Sequence, residues 1–183
     1  MSTVVLERRF DPPLRVDDLE AMRDESAWCL EQHRVDHLFS LLSSDGRDLI
    51  CTFTAPDAEA LRRVLQQLGE TQAYRAWSAT VHAPPAERPT APPDGGRGAA
   101  VVLVERSFPA PAEFAPLQAR EDAGAWCLEQ QGVRHLRSYF ALDRRRMLCL
   151  YAAPDAEAVR RVQRQVDLPH DRVWRAEVWG SRA

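Results

Sequence analysis

The hexapeptide AWCLEQ fills positions 27–32 of the chain and recurs unchanged at positions 125–130. This spacing of 98 positions pairs Trp28 with Trp126 inside the hexapeptide, and beyond it His37 with His135 and Cys51 with Cys149. Internal repeats decide how many structural units a chain contains, so they are considered before other features. We therefore interpret the chain as a tandem duplication.

A segment rich in proline and glycine separates the two copies. Positions 84–99 hold five of the 13 prolines of the chain, which is typical of a linker. This interpretation predicts a first repeat over residues 1–83, a linker over 84–99 and a second repeat over 100–183. Each repeat has about 80 residues, a size close to the lower limit for independent folding.

Composition is that of an ordinary globular protein of 183 residues, with 45% hydrophobic residues, 28% charged residues and a formal net charge of −3. All 24 basic residues are arginine, and lysine and asparagine are absent, which indicates the codon bias of a high-GC bacterium. The N-terminal residues show no signal pattern and no stretch has the length of a membrane span. We expect a cytoplasmic protein that binds neither membranes nor nucleic acid.

Each repeat carries the pattern of strand, helix, two strands, helix and strand. β-Branched residues open both copies, helical spacing follows, and a turn joins two short apolar runs before the second helix. This order is the ferredoxin-like split βαβ unit. Because one face of its sheet stays uncovered, we predict an α+β fold in which two ferredoxin-like repeats pack sheet to sheet. The result would be a pseudo-symmetric dimeric α/β barrel with a pocket between the sheets.

Strand alternation predicts which side chains face that pocket, because successive residues of a strand point to opposite faces. In the third strand of the second repeat, Leu148 and Leu150 are purely apolar and are expected to meet the helices. This leaves Cys149 and Tyr151 toward the pocket. The same alternation places one carboxylate, one imidazole and one thiol of each repeat on the pocket face: Glu7, His37 and Cys51, and Glu105, His135 and Cys149.

Such a set of side chains suits two kinds of chemistry. Carboxylate, imidazole and thiolate are ligands for nickel, copper, iron or zinc, and they are also acid/base groups. Each residue also has a purely structural interpretation: a buried cysteine as a small apolar group, a hydrogen-bonded core histidine, and a glutamate paired with arginine. We expect the site to centre on the second repeat, where Arg137, Tyr139 and Tyr151 would share the pocket face and contact a ligand.

The second repeat resembles a known family in the stretches VLVERSFP, HLRSYF, MLCLYAAPDAEAVRR and LPHDRV. The family consists of small bacterial ferredoxin-like proteins that were long a domain of unknown function and are partly described as nickel-binding. The resemblance implies the ferredoxin-like fold, self-association of the single-domain members and transition-metal binding. The chain departs from the family pattern in having His37 and His135 where an aromatic residue is common, and Val64 and Val162 where a helix histidine is common.

Two classes of function stay open at this point. One is a metal-binding or metal-handling protein, which would contain bound metal. The other is an enzyme that acts on a small organic substrate between the sheets, with monooxygenase-, isomerase- or cyclase-like chemistry, and it would show a closed apolar pocket. The expected partners are accordingly a metal ion or a small-molecule ligand, and a homo-oligomer is compatible with both.

Overall fold

Eight strands form one closed antiparallel barrel in the order β1-β3-β2-β8-β5-β7-β6-β4. The structure is a computed structural model and describes residues 1–84, 91–93 and 100–180. Its elements are β1 (Ser2–Arg9), α1 (Val16–Gln32), β2 (Asp36–Ser43), β3 (Asp48–Ala55), α2 (Ala58–Gln67), β4 (Tyr74–His82), β5 (Ala100–Ser107), α3 (Phe114–Ala123), α4 (Ala125–Gln130), β6 (Arg134–Ala141), β7 (Arg146–Ala152), α5 (Ala156–Gln165) and β8 (Arg172–Gly180). The α+β class is as predicted. Most of the proposed linker lies outside the described residues.

The two sequence repeats join through their edge strands. β2 pairs with β8 on one side of the barrel, and β4 pairs with β6 on the other. No strand edge is left open among the described strands, because full closure pairs every edge. Within the described ranges, no helix is long and apolar enough to cross a membrane.

Three turns have the same backbone conformation in both repeats. The residues with positive φ form pairs that lie 98 positions apart: Arg34 with Gly132, Gly46 with Arg144, and Gly69 with Asp167. Only glycine adopts this left-handed region without a steric cost. The arginines and the aspartate therefore hold turn geometries that glycine holds in the other copy.

The middle of the barrel is a packed apolar core. Leu41, Leu103, Leu150 and Val178 are fully buried there, together with Phe39 and Tyr139. Two further apolar clusters lie on the outer surface of the barrel, one beneath α1 and α2 and one beneath α3, α4 and α5. These side chains fill the middle of the barrel, where the sequence predicted a pocket.

The predicted facing of β7 is also wrong. Leu148 and Leu150 point into the barrel, whereas Met147, Cys149 and Tyr151 pack beneath the helices. Both alternate sets of side chains are apolar, so hydrophobicity alone could not distinguish the barrel interior from the helix side. On β3, Cys51 lies on the helix side in the same way.

A β-bulge shifts the register of β2 between His37 and Phe39, and a matching bulge shifts β6 between His135 and Arg137. A bulge adds one residue to a strand and so inverts the facing of everything beyond it. Each histidine consequently shares the helix side with the serine three positions later, which simple alternation would have placed on the opposite face.

Candidate functional site

A cavity of about 310 Å³ lies in the first repeat, between the outer surface of the barrel and helices α1 and α2. Its walls are largely apolar: Leu6, Leu19, Leu30, Leu49, Phe53, Leu61, Val64 and Leu65. The strands contribute His37, Ser40 and Cys51 to its lining. The cavity thus combines an apolar body with these three polar groups and with charged residues of β1, α1 and the segment after α2: Arg8, Glu20, Arg23, Glu25 and Glu70.

These three polar side chains form a hydrogen-bonded relay. His37 Nε2 lies 2.8 Å from Ser40 Oγ, and the Ser40 hydroxyl donates to Cys51 Sγ over 3.1 Å. With the serine proton directed to sulfur, the imidazole donates from Nε2, and Nδ1 carries the lone pair. Nδ1 is buried and has no hydrogen-bond partner among the described residues. The relay therefore leaves one acceptor unused.

The imidazole of His37 is uncharged at neutral pH. Burial first, and then the nearby Arg23 and Arg8, lower the pKa of His37 to about 4. Desolvation disfavours the charged imidazolium, and two cations act in the same direction. His37 is consequently a neutral hydrogen-bonding group.

The second repeat contains the same relay. His135 Nε2 lies 2.9 Å from Ser138 Oγ, and Ser138 donates to Cys149 over 3.1 Å. Burial lowers the pKa of His135, while the nearby Glu121 raises it. The histidine and the cysteine of each repeat thus share a face, as predicted, although that face is the helix side.

Above the second relay, a buried polar network occupies the position that is open in the first repeat. Arg106 donates to Gln163 over 2.5 Å, and the Tyr151 hydroxyl donates to Glu121 over 2.6 Å. Gln163 Nε2 lies 3.5 Å from the same hydroxyl. In the first repeat, Arg106 corresponds to another arginine, Arg8. The other three members of the network correspond to residues of different chemistry: Gln163 to Leu65, Tyr151 to Phe53, and Glu121 to Arg23.

The first helix of each repeat adds to this difference. At Gly124 the helix of the second repeat is interrupted between α3 and α4, and a Cβ there would lie 2.1 Å from Val166 Cγ1. The corresponding position in the first repeat is Ser26, which lies within the unbroken α1 and lines the cavity. Close approach of the helix at Gly124 leaves less space in the second repeat.

Both repeats contribute to the surroundings of each relay. Trp179 and Gly180, at the end of β8, line the cavity of the first repeat. His82, at the end of β4, stacks on Phe114 of α3 with ring centroids 3.6 Å apart. His82 is thus half-buried at a contact between the two repeats.

The two predicted glutamates lie apart from the histidines and cysteines, at one mouth of the barrel. Trp77 donates to Glu7 over 2.7 Å, and Trp174 donates to Glu105 over 2.6 Å. The expected clusters of Glu7, His37 and Cys51, and of Glu105, His135 and Cys149, are therefore not formed. Throughout the described ranges, no group of three or more His, Cys, Asp or Glu is placed to hold a metal ion.

Arginines surround the two glutamates at this mouth. Arg75 and Arg146 lie 3.3 and 3.5 Å from Glu7, and Arg172 lies 3.6 Å from Glu105. A cavity of about 410 Å³ lies beside them. Burial raises the pKa of Glu105, while the hydrogen bond from Trp174 opposes the shift. The mouth is an ion-pair network that spans both repeats.

The three residues expected to contact a ligand in the second repeat are divided between two faces. Tyr139 and Arg137 are fully buried inside the barrel, where burial raises the pKa of Tyr139 to about 12. Arg137 donates to the carbonyl of Ala91 over 2.9 Å. Tyr151 lies on the helix side, so the prediction of a shared pocket face is wrong.

The closed antiparallel barrel with helices on its outer surface is the dimeric α/β barrel fold. A chlorite dismutase from Candidatus Nitrospira defluvii, solved in complex with imidazole, matches with a TM-score of 0.53 and 12% identity over 96% of this chain and 90% of that chain. A heme-binding protein from Thermus thermophilus matches with a TM-score of 0.51 and 8% identity over 97% and 90%. At such low identity these likenesses show the fold alone.

The family is shown by sequence. Residues 5–74 and 103–175 match the model of the SCO4226-like nickel responsive proteins, and the chain belongs to this family. This confirms the resemblance seen in the sequence, and the model matches both repeats. No curated protein matches the chain.

Proposed function

We propose that the protein binds a small, largely apolar organic molecule in the cavity of the first repeat, with His37 as a polar anchor. The observation that carries this proposal is a difference between two copies of one unit. The second repeat fills the space above its relay with Tyr151, Glu121 and Gln163, whereas the first repeat keeps a cavity of about 310 Å³.

The size and lining of the cavity support this function. Small-molecule sites typically measure about 300–1,000 Å³ and combine apolar walls with a few polar groups. The apolar side chains of α2, Leu61, Val64 and Leu65, form part of the wall. A ligand that covers them removes apolar surface from water, which stabilises the complex by about 25 cal/mol per Å².

The buried Nδ1 of His37 supports a ligand that reaches it through a bridging water, which donates to Nδ1 and to the ligand. An unsatisfied buried polar atom costs about 1–3 kcal/mol, and that cost is relieved when a partner is supplied. Because the pKa of His37 is lowered to about 4, the imidazole stays neutral near pH 7. Its ability to accept this hydrogen bond therefore does not change with pH near neutrality.

The experiment uses N-phenyl-1-naphthylamine, an uncharged apolar dye whose fluorescence rises in apolar surroundings. The wild-type protein is expected to bind it with saturation. The triple variant Arg23→Glu, Phe53→Tyr and Leu65→Gln transfers the second-repeat side chains into the first repeat and is expected to weaken binding at least tenfold. Arg63→Glu, on the exposed side of α2, makes the same charge change and should bind like wild type.

Circular dichroism establishes that both variants are folded. The proposal fails if the wild-type protein does not bind the dye, or if the folded triple variant binds it as well as wild type does. Should the triple variant unfold, the single substitution Leu65→Gln tests the same point, because it places an amide in the apolar wall.

Nickel binding is a second candidate, favoured by membership of the nickel responsive family and by the pair of His37 and Cys51 in one cavity. A neutral imidazole and a thiol suit borderline transition metals. Within the described residues these two donors have no third ligand, so the chain does not supply a complete set. Calorimetric titration with nickel chloride should give a signal that His37→Ala abolishes, and the absence of a signal with wild type would exclude this candidate.

Catalysis by the relay is less well supported than binding. Ser40 and His37 have the separation of a nucleophile and its base, 2.8 Å. The same pair occurs in the second repeat, at 2.9 Å and beneath a filled space. Because the pair is present with and without a cavity, it is best explained as a bond that holds the bulge of β2 and β6 in place.

A further inference from the structure

We infer that the occupant of the first-repeat cavity is an organic anion, an apolar body that carries one carboxylate, held between Arg8 and Arg23. This inference rests on the proposed function and names the chemical class of the ligand.

The two repeats differ in the sign of one charge. In the second repeat, the network above the relay contains the cation Arg106 and the anion Glu121, both buried. In the first repeat the corresponding residues are Arg8 and Arg23, so both are cations. The position that Glu121 fills with a carboxylate has no built-in anion in the first repeat. Arg8 and Arg23 pair with Glu70 and Asp24, so a ligand carboxylate would take the place of the Glu121 carboxylate rather than supply a missing charge.

Arg8 has donor capacity that this chain does not use. Its Nη1 donates to Glu70 over 2.9 Å, and its side chain is only 10% exposed. Its Nε is buried without a hydrogen-bond partner in the part of the chain that the structure describes. A charge-assisted bond from this group to a carboxylate would be stronger than a bond between neutral groups.

Arg23 stands at the entrance. Its side chain is 43% exposed and pairs with Asp24 on the surface of α1, and it lines the cavity. Since an exposed ion pair contributes little to stability, Arg23 is available to a ligand. Both arginines lower the pKa of His37, which places them electrostatically close to the relay.

Three carboxylates also line the cavity, those of Glu20, Glu25 and Glu70. Glu70 is neutralised by its ion pair with Arg8. Glu20 and Glu25 belong to α1, as does Arg23. The charged groups that shift the pKa of His37 are the two arginines. At the end of the cavity where Arg8 and Arg23 act on His37, an anion is favoured over a cation.

The test measures displacement of bound N-phenyl-1-naphthylamine by three compounds with the same alkyl chain: octanoate, 1-octanol and octylamine, at pH 7. Octanoate is expected to displace the dye from the wild-type protein at a concentration about tenfold lower than 1-octanol, a ratio typical of one charge-assisted bond. Octylamine should be the weakest of the three. High salt should reduce the advantage of octanoate, because it screens the partly exposed Arg23.

Arg23→Glu places a carboxylate where the second repeat has Glu121, and it should reverse the order so that octylamine displaces the dye better than octanoate. Arg63→Glu is the matched control and should keep the wild-type order. If Arg23→Glu does not fold, Arg23→Gln should bring octanoate and 1-octanol to equal potency.

Equal potency of octanoate and 1-octanol with wild type would overturn this inference while leaving the proposed function intact. An unchanged order in folded Arg23→Glu would overturn it as well, as would failure of all three compounds to displace the dye. Failure of the dye itself to bind would instead contradict the proposed function.

Discussion

Phe39 and Arg137 occupy the same position in the two repeats, 98 residues apart, and contact each other inside the barrel. The guanidinium carbon of Arg137 lies 5.5 Å from the centroid of the Phe39 ring. Equivalent residues of two related units can touch only near the axis that relates the units. The contact therefore marks the middle of the barrel. Because one of the two residues is phenylalanine and the other is arginine, that middle is asymmetric.

The first prediction concerns this contact. Phe39→Ala should lower the free energy of unfolding by about 3–5 kcal/mol, because it leaves a cavity and removes the ring beneath a buried cation. Urea denaturation followed by circular dichroism measures the change. Arg137→Met is the matched control, and it should cost much less, since an apolar side chain of similar length suits the same surroundings. The opposite ranking would contradict this assignment of the contact.

The pH dependence of stability provides a second prediction. The pKa of His37 is about 4 in the folded protein and near 6.5 when the chain is unfolded. Between these values the unfolded state binds the extra proton, so stability falls as the pH is lowered from about 6.5 toward 4. In wild type, the protonation of His37 should lower the free energy of unfolding by about 1–3 kcal/mol over this pH range. His37→Gln should not show this loss.

Urea denaturation at pH 7 and pH 5 tests this effect, and an NMR titration of the wild-type imidazole gives its pKa directly. His33→Gln is the control, because His33 is an exposed residue that bonds Gln67 on the surface. A His37 resonance that titrates near pH 6.5 would contradict the prediction.

Glu105 provides a third prediction with the opposite sign. Burial raises its pKa, so the folded state holds the proton more strongly than the unfolded state does. The stability contribution of Glu105 is therefore lost as the pH rises through its folded pKa. Glu105→Gln should leave stability at pH 4 nearly unchanged and raise it at pH 7.

The hydrogen bond from Trp174 keeps the pKa of Glu105 from rising further. Trp174→Phe should consequently steepen the loss of stability above pH 4.5, as measured by thermal unfolding over a series of pH values. A Glu105→Gln variant that is less stable than wild type at pH 7 would show that the ion pair with Arg172 outweighs burial.

Comparison of sequence and structure shows where residue patterns are informative. The order of strands and helices was predictable because turns and apolar spacing mark each element, and the family was recognisable from MLCLYAAPDAEAVRR. The facing of β7 was not predictable, since Leu150 and Cys149 are both acceptable in an apolar core. The bulge at Leu136 could not be predicted from alternation. One extra residue reverses the facing of the residues that follow, and nothing in the sequence marks where it is inserted.

The cavity had a signal in the sequence that alternation did not reveal. Positions 98 apart change from Arg23 to Glu121 and from Leu65 to Gln163. A simultaneous change of charge and polarity at two equivalent helix positions indicates that the helices cover different surroundings. That these positions meet above the relay depends on how α1 and α2 pack, which the sequence does not specify.

The last prediction addresses the cause of the asymmetry. Gly124→Ser places in the second repeat the residue found at Ser26 in the first, and its Cβ would meet Val166 Cγ1 at 2.1 Å. The helix must move away from α5, and such overpacking typically costs about 1–3 kcal/mol. The reciprocal Ser26→Gly should cost at most about 1 kcal/mol, the usual penalty for glycine within a helix.

Because Gly124→Ser opens the space above the second relay, it should also let the dye bind a second time, so that fluorescence titration gives a stoichiometry above that of wild type. Unchanged stability of Gly124→Ser would show that the close approach at Gly124 is not what closes the second repeat.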